Sequence, residues 1–138
     1  MASAQAREIR IAIDRETDIV AARRAGRDLA AWLGFHAADQ TLIASAIAEV
    51  ARNIVVYAQR GEIAVCRLDE RQRVGIRVVA SDHGPGIENV ALALRDGYST
   101  KHSLGLGLPG ARRLMDELHV ESEVGQGTVV TMKKWVRM

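Results

Sequence analysis

This chain carries one cysteine in 138 residues, which excludes a disulfide-stapled scaffold. Cys66 has no intrachain partner, fits a reducing compartment and, within an apolar run, reads as a small buried hydrophobe. A marked excess of either charge is also missing. With 19 Lys and Arg against 17 Asp and Glu the net charge is +2, too little for a nucleic-acid binder. Arg23-Arg24 and Arg112-Arg113 are too short for a basic patch and read as solvated helix faces. No apolar run approaches the roughly 20 residues that span a bilayer, and residues 1–10 hold no apolar signal region. A cytoplasmic protein with neither membrane nor nucleic-acid partners is expected. No Gly-x-x-x-x-Gly-Lys-Ser/Thr occurs, so a P-loop is excluded as a sequence match. His36, His83, His102 and His119 show no metal-ligand spacing.

What is present is an ordinary globular composition, 48% hydrophobic and 26% charged. It suffices for one domain over residues 1–138 with a single core, the first eight residues being flexible. Ile9, Ile11 and Ile13 alternate as a first strand. Thr17 or Asp18 caps a helix with Ile19, Ala22, Gly26, Leu29 and Leu33 on one face, ended by Gly34. Asp39 precedes a second helix, 39–59, carrying Ile43, Ala46, Ile47, Val50, Ile54 and Tyr57. Strands follow at 63–68 and 74–80, joined by a charged turn. Residues 83–107 read as a glycine-rich loop with a short helix near 90–94. A third long helix begins near Leu108, with Pro109 in its first turn and Ala111, Leu114, Met115 and Leu118 inward. Strands at 120–124 and 128–135 close the chain as a hairpin. The expected fold is an α/β two-layer sandwich, with three main helices on one face of a mixed sheet.

Four clusters carry chemistry. At about 100° per residue, the apolar stripe of the second helix centres about 110° from Glu49, and Asn53 stands about 40° from Glu49, one turn on. An amide and a carboxylate so spaced project side by side, and their oxygens suit Mg²⁺ and a water before it. Asp82 ends an apolar, central strand, where a carboxylate needs a donor such as the exocyclic amine of adenine. Gly84 and Gly86 admit close approach of a flat ring, and Pro85 stiffens the turn. Gly105-Leu106-Gly107-Leu108-Pro109-Gly110 runs into a helix, where exposed N–H groups and the helix end favour phosphate, with Lys101 and Arg112 nearby. Thr128, after Gly127, suits a purine edge or its bridging water. Each cluster alone also fits a plain reading: a helix-surface hydrogen bond, an Asp-x-Gly loop, a strand threonine. A dinucleotide Rossmann site would need its glycines after the first strand and an acidic residue about 20 positions on. Here the glycines come late, and Glu121 and Glu123 fit poorly. Together, in this order, the clusters describe a nucleotide pocket without a Walker lysine.

Glu49-x-x-x-Asn53, Asp82-x-Gly84-x-Gly86, Gly105-x-Gly107-x-x-Gly110 and Gly125-x-Gly127-Thr128 resemble the motifs of the Bergerat (GHKL) ATP-binding fold shared by gyrase, Hsp90, histidine kinases and MutL. The resemblance runs from about Ile9 to Val136. In size the chain is similar to the anti-sigma-factor serine/threonine kinases. In wording it is similar to the RsbT-like switch kinases of the bacterial stressosome, at Ala48-Glu49-Val50-Ala51-Arg52-Asn53-Ile54, Asp96-Gly97-Tyr98-Ser99-Thr100, Leu108-Pro109-Gly110-Ala111-Arg112-Arg113-Leu114-Met115-Asp116-Glu117 and Lys134-Trp135. The resemblance implies a Mg²⁺-ATP-dependent kinase of STAS-domain scaffold and antagonist proteins (RsbS- and RsbR-like). Once released, it would activate a PP2C-type phosphatase (RsbU-like) in a sigma-factor cascade. By motif, Asn53 would hold Mg²⁺ and Glu49 would act as general base. Asp82, Gly84, Gly86 and Thr128 would bind adenine. Thr100 and Lys101 would belong to a short lid at 99–103, and Gly105, Leu106, Gly107, Leu108 and Gly110 would surround the phosphates. No dimerising helical pair, acceptor histidine or transducer domain is read in the chain, so the acceptor is expected on another protein. The alternative is an anti-sigma factor of the SpoIIAB or RsbW type that sequesters sigma directly.

Overall fold

The computed structural model describes residues 8–95 and 107–137. Five strands, β1 (Glu8–Ile13), β2 (Gly61–Glu70), β3 (Arg73–Asp82), β4 (Glu117–Glu123) and β5 (Gly127–Trp135), form one sheet in the order β1-β2-β3-β5-β4. Two long helices, α1 (Glu16–Leu33) and α2 (Ala37–Asn53), cross between β1 and β2; α3 (Val90–Ala93) and α4 (Leu108–Leu114) lie between β3 and β4. The sheet is not mixed. Every neighbouring pair is antiparallel. β3 and β4 do run in one direction, as a helical crossover suggests, but β5 turns back after β4 and inserts between them.

Alternation decides which side chains meet the helices. Ile9, Ile11 and Ile13 share a face with Ile63 and Val65, then Ile76, Val78 and Ala80, then Val130 and Met132. α2 lays Ile43, Ala46, Ile47 and Val50 on that face and buries each of them. By length and composition the stretch Ala37–Ala58 is apolar enough to cross a membrane; here it is the core helix of the domain. α1 begins one residue before Thr17, and Asp18 serves from inside the first turn, its Oδ2 accepting the N–H groups of Asp14 and Arg15. Gly34, in the left-handed region, ends α1 as expected.

Two helices depart from the periodicity reading. α2 does not run regularly to Gln59: after Asn53 the chain widens into a π-helical turn, Ile54–Ala58, which Gln59 closes by donating its N–H to the Ile54 carbonyl at 2.6 Å. The third helix is short. α4 stops at Leu114, Met115 is extended, and Leu118 lies in β4 rather than in the helix. β5 captures the chain there. Asp116 donates its N–H to the Lys133 carbonyl and accepts the Trp135 N–H on Oδ2 at 2.8 Å, while Lys134 Nζ donates to the Leu114 carbonyl at 2.9 Å.

Candidate nucleotide-binding site

α2 and its π-helical turn form one wall of a cavity of about 430 Å³, lined there by Val50, Asn53, Ile54, Tyr57 and Ala58. Its floor is Ala80, Asp82, Thr128 and Val130 from the sheet; Pro85, Gly86, Ile87 and Leu92 close another side, and Leu108 opens α4 beside it. A mostly apolar cleft with a few convergent polar groups is the usual build of a small-molecule site. Asp82 reaches it because it stays in phase with Ile76, Val78 and Ala80, whose side chains point to the helices.

The Asp82 carboxylate is held from both sides. Oδ1 accepts the N–H of Gly84 at 2.8 Å and the N–H of Thr128, its cross-strand neighbour, at 3.3 Å. These bonds occupy one oxygen and leave Oδ2 as the acceptor this residue can offer a ligand. Gly84 is tightly placed: a Cβ would stand 2.6 Å from that of Ala58 on the π-helical turn. Gly86 needs its glycine for conformation as well, with φ at 80°, and any Cβ there would run into the Glu123 carbonyl.

Thr128 Oγ1 lies 2.8 Å from Ser122 Oγ. Ser122 Oγ accepts the Ile87 N–H at 2.7 Å and is placed to donate to the Gly127 carbonyl at 3.0 Å. When Ser122 donates there, Thr128 must donate to Ser122, so its oxygen remains an acceptor towards the cavity. Ser122 belongs to none of the sequence motifs. Its signal is a hydroxyl at the third inward position of β4, after Leu118 and Val120. Ser122→Ala should leave the Ile87 N–H unpaired and destabilise the domain by about 1–3 kcal/mol, with weaker nucleotide binding; paired thermal melts and titrations measure both.

Glu49 does not line the cavity. It stands one turn before Asn53, its side chain 38% exposed, with Oε1 accepting from Arg52 Nη1 at 3.2 Å. Its other oxygen abuts Gly107, which caps α4 at φ 67°, and any Cβ at Gly107 would overlap Glu49 Oε2. Carboxylate and glycine turn are thus brought together, beside the end of the cavity marked by Asn53 and Leu108. α4 is only seven residues long, so its end adds less charge than a long third helix would. The helical pattern leaves the N–H groups of Leu108 and Gly110 without intrahelical acceptors, and Pro109 has none to offer. Among the described residues nothing outside its own helix lies within 4 Å of where a Cβ at Gly110 would stand. Thr100, Lys101, Gly105 and Leu106, together with the lid at 99–103, lie outside the described residues. Among the described residues no three His, Cys, Asp or Glu side chains gather as a metal cluster. A Mg²⁺ held by Asn53 and by a nucleotide's phosphates would need no such cluster, since this ion keeps several waters and takes few protein ligands.

Fold and pocket define an ATP-binding domain of the histidine kinase-like type. The family profile of the histidine kinase-like ATPase domain matches residues 13–134, and the chain belongs to that family. It is 46% identical over 127 residues to the serine/threonine-protein kinase RsbT of Bacillus subtilis, covering 92% of this chain and 96% of that one. Within the family it is a protein serine/threonine kinase of the RsbT kind. An anti-sigma F factor of Clostridium acetobutylicum is 33% identical over 95 residues, covering 64% of this chain and 65% of that one. Among solved structures, the catalytic domain of the histidine kinase ThkA superposes with a TM-score of 0.54 at 16% identity, covering 92% of this chain and 95% of that one. At that identity it speaks for the fold alone.

Proposed function

We propose that this chain transfers the γ-phosphate of Mg²⁺-bound ATP to a serine or threonine of STAS-domain scaffold or antagonist proteins. Once released from them, it activates a PP2C-type phosphatase in a sigma-factor cascade. The observation that carries the reading is the contact of the Glu49 carboxylate with the Gly107 turn, at one end of a cavity whose other end holds Asp82 and Thr128. Glu49 and Ala58 stand at opposite ends of the wall formed by α2 and its π-helical turn, which leaves the adenine at the Ala58 and Asp82 end and the phosphates at the Gly107 end.

In this reading Asp82 Oδ2 accepts the exocyclic amine of adenine, and Thr128 completes the polar edge. Gly86 and Ile87 cover the ring plane. Gly107, Leu108 and Gly110 present backbone to the phosphates. Asn53 would hold the Mg²⁺ that accompanies the nucleotide, and that ion would supply neutralisation of phosphate charge. The acceptor hydroxyl enters from solvent beside Glu49, which takes its proton. The new O–P bond forms as the bond from the γ-phosphorus to the bridging oxygen breaks, and ADP leaves. The Glu49–Arg52 ion pair is exposed and weak, so it does not prevent this role. Asn53→Ala should weaken both Mg²⁺-dependent nucleotide binding and turnover, and the loss should vanish when affinities are compared in chelator. Titrations with and without Mg²⁺ measure it.

The likeness to an anti-sigma F factor supports a second reading, in which the chain binds a sigma factor directly. Pull-down from a defined mixture of a STAS protein and a sigma factor separates the two. Retention of the STAS protein in an ATP-sensitive manner is expected, and retention of sigma alone would replace the first reading with the second.

A further inference from the structure

Lys134 is a charged side chain buried in the domain, 4% exposed, and the phosphotransfer machinery above makes no use of it. It faces the helices from β5, opposite Ile76. Its ammonium donates to the Leu114 carbonyl, the last of α4, at 2.9 Å, and lies 3.7 Å from Asp116 Oδ1. Asp116 in turn is fixed by the Trp135 N–H at 2.8 Å and by Arg137 Nη2 at 3.1 Å. A buried ammonium is costly, and apolar replacements of buried charges are often as stable or more so. Stability alone therefore does not explain a lysine here.

Geometry does. α4 is too short to hold itself, since isolated helices of this length do not persist. It buries only Leu108 and Ala111, with Leu114 partly buried against the core and Met115 extended just past its end. At its front, Gly107 lies against Glu49; at its rear, the Lys134 ammonium takes the final carbonyl. We infer that Lys134, oriented by Asp116, is a positioning residue: it pins the rear of α4 to the last strand and so sets the register of the Gly107–Leu108–Gly110 backbone against Glu49 and the nucleotide's phosphates. This rests on the phosphotransfer reading, and it concerns only the phosphate end of the site, because Asp82 and Thr128 are held by their own bonds to β3 and β5.

The test compares ATP with adenosine. Lys134→Met keeps length and apolar bulk but removes the donor. Adenosine affinity, followed by NMR titration, should stay within about twofold of the parent. ATP affinity should fall about tenfold, and transfer rate about 10²-fold, the usual cost of misplacing a reacting group by an ångström. Lys134→Arg, which restores a donor and a charge, should recover most of both. Asp116→Asn, which can keep an acceptor for the Trp135 N–H but loses the charge facing Lys134 and Arg137, should show the same split to a smaller degree and serves if Lys134→Met does not fold. Equal losses for adenosine and ATP, or ATP affinity unchanged in both variants, would overturn the inference. A parent protein that binds ATP but transfers nothing would count against the kinase reading instead, and the adenosine–ATP split would still decide the role of Lys134.

Discussion

Glu49→Gln binds ATP as the parent does and loses about 10²–10⁴-fold in phosphotransfer, the usual worth of a positioned general base. Glutamine has the same shape, so the packing against Gly107 survives the change. The ion pair with Arg52 is lost, but both side chains are substantially exposed, at 38% and 54%, so stability should hardly move. In the proposed mechanism, what disappears is the capacity to take a proton from the acceptor hydroxyl. Because Glu49 lies beside the cavity rather than in its wall, nucleotide affinity reports on a different set of residues than turnover does. Single-turnover transfer and calorimetric titration on the same preparation separate the two quantities. Parallel loss of ATP affinity would mean that the carboxylate only shapes the Gly107 turn.

Asp82→Asn is expected to abolish adenine recognition while leaving the fold intact. An asparagine Oδ1 can still accept from the Gly84 and Thr128 N–H groups that now hold the carboxylate. Its Nδ2 would then face the exocyclic amine, donor against donor. One lost charge-assisted bond and one unpaired group amount to about 1–3 kcal/mol each, enough to weaken binding by two orders of magnitude or more. The same argument sets base choice in the parent. Guanine presents a carbonyl where adenine presents its amine, so GTP sets an acceptor against an acceptor. Titration of ATP, ADP and GTP measures this, and GTP affinity within about twofold of ATP would remove Asp82 from its role. An unchanged circular dichroism spectrum for Asp82→Asn guards against a trivial loss of fold.

Much of the site is legible in the amino-acid order because its parts obey local periods. Asp82 follows Ile76, Val78 and Ala80 at every second residue, and that alternation brings it to the helix side of the sheet. Glu49 and Asn53 follow from the stripe of α2 in the same way. Local periods do not supply features set by distant parts of the chain. The spacing of Leu114 and Leu118 fits a helix, that of Leu118 and Val120 a strand; the bonds of Asp116 and Lys134 to β5 and α4 decide for the strand. Strand order is hidden for the same reason, since β5 enters between β3 and β4 by pairing with residues far away in sequence. The π-helical turn after Asn53 also escapes periodicity. It brings Ala58 against Gly84. Ser122 belongs to no motif, and its hydroxyl gains its role only from the pairing that sets it opposite Thr128.

Transfer of radiolabelled phosphate from ATP to purified STAS domains, with Glu49→Gln run beside the parent, tests the kinase reading most directly. Label is expected on a serine or threonine of the STAS domain, dependent on Mg²⁺, strong with the parent and nearly absent with Glu49→Gln. Label appearing equally with both proteins, or ATP bound with no label on any STAS hydroxyl, would contradict it.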